Sequence, residues 1–114
     1  MTLVESREYG QNELLITHYY QNPLFKLKDA FLKACGKLDI DVLSIDDTFN
    51  DYLIAIKGVE VLMKFETYER YSFLDFSFEG SFFERRRILK KFSKIYDELK
   101  KELNFVGLGL QNKN

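Results

Sequence analysis

The stretch from Val59 to Leu103, VEVLMKFETYERYSFLDFSFEGSFFERRRILKKFSKIYDELKKEL, decides the fold. Its first part has a period of two. Val59, Val61, Met63 and Phe65 alternate with Glu60, Lys64 and Glu66, as in a strand with one buried face. Tyr68-Glu69-Arg70 reads as a hairpin connection. The next run carries Ser72, Leu74, Phe76 and Phe78 on one face and Tyr71, Phe73 and Asp75 on the other. The period then changes. Ser81 and Glu84 form an S-x-x-E capping box, in which each side chain bonds a backbone N–H left free in the first helical turn. Ile88, Leu89, Phe92, Ile95, Tyr96, Leu99 and Leu103 follow as the apolar stripe of a helix from 82 to about 103.

Outward from this core, Glu13–Tyr20 reads as a strand rich in Leu, Ile, Thr and Tyr, and residues 3–9 as a short one. Gly10-Gln11-Asn12 is a turn between them. Asn22-Pro23 opens a helix over 23–35, with Leu24, Leu27, Phe31 and Ala34 on its buried face and Gly36 as its stop. Residues 40–45 and Tyr52–Lys57 read as strands around the polar turn Asp46–Asp51, and Gly58 as a turn. The element order is β-α-β-β-β-β-α. It implies a single α+β domain over 1–114, with a four- or five-stranded antiparallel sheet and two helices on one face. Residues 104–114 read as a flexible or docked tail, an added edge strand or an interaction arm.

Over residues 13–103 this order resembles the single repeat of the TATA-box-binding fold and the related helix-grip arrangement. The likeness is one of element order, and the chain carries no sequence motif of either family. It implies a curved sheet around a long C-terminal helix and nothing about activity.

Composition narrows the function classes. There are 17 basic and 18 acidic side chains, for a net charge of -1, which opposes a dedicated nucleic-acid binder. A single cysteine, Cys35, cannot form an internal disulfide. No apolar leader and no uncharged run of spanning length is present, so the expectation is a cytoplasmic protein without a membrane role. One histidine and one cysteine cannot make a tetrahedral zinc site. Asp39, Asp41, Asp46, Asp47 and Asp51 lack EF-hand spacing and read as turn residues. There is no G-x-S-x-G, P-loop or H-E-x-x-H. His18 and Cys35 read as structural residues, not as a nucleophile with its base. No catalytic residue, metal or cofactor is expected.

Two surfaces stand out. Arg85, Arg86, Arg87, Lys90, Lys91 and Lys94 crowd the start of the long helix, the end at which its dipole disfavours cations. Glu84 alone offsets them there, whereas Asp97, Glu98 and Glu102 offset the lysines further on. Arg86, Arg87, Lys90, Lys91 and Lys94 are therefore expected to meet an acidic partner. The aromatic content is high, with eleven Phe and seven Tyr. Tyr71 and Phe73 point away from the helices and are expected to form an aromatic interface if nothing in the chain covers them. The resulting expectation is a non-catalytic binding or adaptor protein acting through a homodimer or another protein. Nucleic-acid binding through the basic helix start is an alternative, and so is a small apolar ligand between sheet and helix.

Overall fold

In a computed structural model, described over residues 2–111, the predicted alternation is realised as two ten-residue strands, β5 (Val59–Tyr68) and β6 (Tyr71–Gly80). They pair antiparallel from Leu62↔Ser77 to Tyr68↔Tyr71, and Glu69 takes the left-handed backbone conformation that closes the turn. Upstream, β3 (Asp41–Asp46) and β4 (Asp51–Ile56) extend the meander. Lys57 and Gly58, both at positive φ, make the tight turn into β5.

Among the described residues the sheet has seven strands, more than the four or five expected. The two extra strands come from the chain ends. Thr2–Glu5 (β1) and His18–Tyr20 (β2) lie end to end along the free edge of β6, and Phe105–Leu108 (β7) pairs with β2. The order is β3-β4-β5-β6-β2-β7, antiparallel throughout, with β1 also on β6. The tail thus supplies an edge strand; residues 112–114 lie outside the described residues.

The strand expected over Glu13–Tyr20 is mostly not one. Asn12 Oδ1 accepts from Leu14 N at 3.0 Å and caps a 3-10 turn over Glu13–Leu15. Ladder pairing resumes only at His18. Residues 7–17 therefore bud out from an otherwise continuous β1–β2 line.

Two helices cover one face. The first, α1 (Leu24–Lys37), begins one residue later than expected, with Pro23 in the capping position. Asn22 instead accepts from Asn104 N at 2.8 Å, tying the start of α1 to the end of the second helix. Gly36 does not stop α1. The helix runs through it and ends where Asp39 turns left-handed (φ 54°), a conformation that Asp tolerates better than most residues.

The second helix, α2 (Phe82–Glu102), starts at the expected box. Ser81 N donates to Glu84 Oε1 at 2.9 Å, and Glu84 N donates to Ser81 Oγ at 3.4 Å. Ser81→Ala is expected to cost about 1 kcal/mol. A urea midpoint equal to the wild type would show that the box contributes nothing.

The core lies between this helix layer and the sheet face carrying Tyr52, Ile54, Val61, Met63, Phe65, Leu74, Phe76 and Phe78. Phe76 stacks on Phe92 of α2, with ring centroids 3.8 Å apart. Phe31 of α1 meets Phe65 edge-on at 5.4 Å. No described helix is long and apolar enough to cross a membrane.

Candidate functional site

The apolar stripe of α2 fixes where its cations go. With Ile88, Phe92, Ile95 and Leu99 turned into the core, the opposite side of the helix must face water. Arg85, Arg86, Arg87, Lys90 and Lys94 are exposed, and Lys91 is half-buried with its Nζ donating to Leu38 O at 3.3 Å. Among the described residues, none of these six side chains forms an ion pair. Elsewhere five lysines are paired. Lys28 meets Asp47, Lys33 meets Asp29, Lys64 meets Asp51, and Lys37 and Lys101 share Glu98. Glu84, the one acid among the cations, is committed to the cap. Its carboxyl is held below the usual range, first by the Ser81 backbone N–H and only weakly by Arg87.

Two shallow concavities run along this row. One, of about 590 Å³, is lined by Phe83, Arg86, Arg87 and Lys90. The other, of about 290 Å³, is lined by Lys57, Arg87, Lys90, Lys91 and Lys94. They share Arg87 and Lys90 and form one trough, with the β4–β5 turn contributing Lys57. Phe83 and Phe82 stand at its head, 71 % and 68 % exposed, in edge-to-face contact with each other. The Arg86 guanidinium lies 5.9 Å from the centre of the Phe82 ring. All five expected cations, Arg86, Arg87, Lys90, Lys91 and Lys94, are thus brought together. Phe83 is the functional candidate that the cation reading missed. Its signal was present in the sequence, since it precedes Arg86, Arg87 and Lys90 by three, four and seven residues, the spacing of one helix face. Lys57 gave no such signal because it arrives from another element.

The expected aromatic surface is placed differently. Tyr71 is half-buried, and Phe73 is only 4 % exposed, so Phe73 is a buried residue and not an open contact. Phe73 does point away from the helices, but Tyr19 of β2 lies directly opposite it in the ladder with ring centroids 4.8 Å apart. Tyr19 is itself fully buried. Its hydroxyl donates to Glu8 Oε2 at 2.6 Å and accepts from Gln111 Nε2 at 2.8 Å. The budded 7–17 segment and the C-terminal segment therefore cover this part of the second face. Asp75 fixes the base of the bud, where its Oδ1 accepts from Ser6 Oγ at 2.7 Å and Thr17 Oγ1 at 2.6 Å. Burial raises the Asp75 carboxyl above its usual value, and these two hydrogen bonds oppose the shift.

The residues with catalytic potential are buried in structural settings. His18 stacks flat on Tyr96, with centroids 3.7 Å apart, and its Nδ1 lies 2.8 Å from Ile16 O. A carbonyl can only accept, so Nδ1 carries a proton. Burial pushes its pKa down to about 4. Cys35 lies on the buried side of α1, where burial pushes its thiol up to about 12 and suppresses the thiolate a nucleophile needs. Neither the hydrogen bond nor the ring contacts of His18 reach Cys35. Among the described residues, no group of three or more His, Cys, Asp or Glu side chains is placed to hold a metal ion.

No protein-family model, curated protein or solved structure matches this chain. The geometry of α2 is accordingly what bears on function.

Proposed function

We propose that this chain is a non-catalytic binding protein that engages an acidic partner protein through the N-terminal half of α2. One observation carries the reading. Arg86, Arg87, Lys90, Lys91 and Lys94 share one helix face in the N-terminal half of α2 without an ion pair among the described residues, whereas Lys28, Lys33, Lys37, Lys64 and Lys101 are all paired. Local stability does not explain that placement, whereas a carboxylate-bearing partner does. The overall charge of -1 favours a protein partner over a long nucleic acid. The single thiol fits a reducing, cytoplasmic setting.

The test replaces Arg86, Arg87 and Lys90 together with Gln, which keeps helix propensity nearly constant. Stability is expected to hold or to rise by a few tenths of a kcal/mol per site, because like-charge repulsion on one face is relieved. Binding to poly-glutamate is expected to weaken, together with its dependence on salt. A clear fall in the urea midpoint would mean that these side chains serve folding, and the proposal would fail.

A second reading, self-association, is favoured by β3. All six of its residues are exposed along one edge of the sheet, with Val42, Leu43 and Ile45 among them, and Phe25 and Phe49 are exposed elsewhere on the surface. Light scattering at low and high protein concentration tests it directly.

A further inference from the structure

The trough on α2 also defines what its ligand looks like. Resting on the acidic-partner reading above, we infer that the partner segment is a short acidic peptide of about five residues with one apolar side chain at its end, which packs on Phe83. Three features of the trough lead there.

The first is length. From Phe83 to Lys94 the helix rises about 16 Å, which an extended peptide covers with about five residues. The second is the sign of the charge at its limits. Beyond Lys94 the exposed face of α2 carries a carboxylate, Asp97. A polynucleotide, negative along its whole length, meets this acid where it runs on past Lys94. A protein segment confines its negative charge to the trough and is neutral on either side. The third is the apolar head. Phe83 lines the trough beside Arg86, Arg87 and Lys90 and leaves most of its ring in water. Carboxylates have no use for that ring, whereas an aliphatic or aromatic side chain gains by covering it. Lys57 enters the site from a different element than α2.

The experiment uses fluorescence anisotropy with labelled hexapeptides at low salt. One set carries five Glu and Asp residues with Leu at either end, and a matched set carries Ser in place of Leu. The Leu peptide with the correct polarity is expected to bind the wild-type protein roughly tenfold more tightly than its Ser counterpart. Phe83→Ser is expected to abolish that preference and leave the Ser peptide unchanged. The Arg86, Arg87 and Lys90 triple Gln variant is expected to lose both. If Leu and Ser peptides bind equally, the apolar anchor is wrong while the acidic-partner reading stands. If neither peptide binds the wild type, both fail. Tighter binding of a twenty-nucleotide oligo-dT, or of vesicles containing phosphatidylserine, would overturn the peptide assignment in favour of nucleic acid or membrane. Because the Leu-to-Ser comparison is made in the peptide, it holds whatever the variants do to the fold.

Discussion

Lowering the pH from 7 to 4 is expected to cost this protein about 3 kcal/mol of stability through His18 alone, and His18→Phe is expected to abolish that loss. His18 is 5 % exposed, lies flat against Tyr96 of α2, and has its pKa pushed down to about 4 by burial. An unfolded chain titrates the same ring near 6.5. Between those values the unfolded state holds a proton that the folded state refuses, so stability is complete above the unfolded pKa and drains away as pH falls towards 4. The groups facing the ring act in both directions, and the Ile16 carbonyl that accepts from Nδ1 opposes the shift. Phe105 of β7 contributes only apolar surface, and the Lys100 ammonium repels a second positive charge. Asp75 works in the opposite direction, since a carboxyl held above its usual value favours the folded state in acid, but it is common to both proteins. The phenyl variant keeps a ring on Tyr96 and strands the Ile16 carbonyl, so it starts lower at pH 7. What matters is the slope. Urea unfolding at half-unit pH intervals should give a wild-type curve that falls between pH 6.5 and 4 and a variant curve that is flatter there. Parallel curves would show that the ring is protonated in the folded state.

The parts of this fold that were legible in the sequence are those fixed by local pattern. The period-two run of β5 and β6, the Ser81–Glu84 box and the stripe of α2 depend on neighbours within a few residues, and all appear where expected. The misreadings occur where distant segments decide. Asn12 had the chemistry of a cap, but Leu14, Leu15 and Ile16 look equally strand-like until the bud at 7–17 gives them another place to pack. Phe73 was placed on the correct face, and its burial depends on Tyr19, which joins it only through pairing between β2 and β6. Gly36 was a plausible helix stop, but the stop fell at Asp39, three residues later. The candidate site divides in the same way. The cations and Phe83 share one helix face and can be read from spacing, whereas Lys57 and the trough itself exist only once the β4–β5 turn folds against α2.

The C-terminal segment has its own critical residue, and Gly109→Ala is expected to destabilise the protein by roughly 3 kcal/mol. Gly109 sits at φ +58°, and a Cβ built there would lie 2.0 Å from Glu8 O, a backbone atom that cannot simply swing aside. Either the budded 7–17 segment or the residues after β7 must move. Movement breaks a connected set of bonds: Gly109 N to Thr17 O at 2.9 Å, Gln111 N to Glu8 Oε1 at 2.8 Å, and Gln111 Nε2 to Tyr19 OH at 2.8 Å. At about 1 kcal/mol each these account for most of the loss. Their rupture also opens water access to Tyr19 and Phe73. Gly58→Ala provides the contrast. Gly58 has a positive φ of +80° as well, but nothing lies within 4 Å of its Cβ position, so that variant carries backbone strain alone, about 1 kcal/mol. The difference between the two variants isolates the collision with Glu8. It should be accompanied by faster hydrogen exchange at the amides of residue 109 and Gln111, with the amides of β5 unchanged. If Gly109→Ala costs no more than Gly58→Ala, the segment after β7 is not held against the bud, and the cover over Tyr19 and Phe73 opens at little cost. The aromatic face would then be within reach of a partner after all.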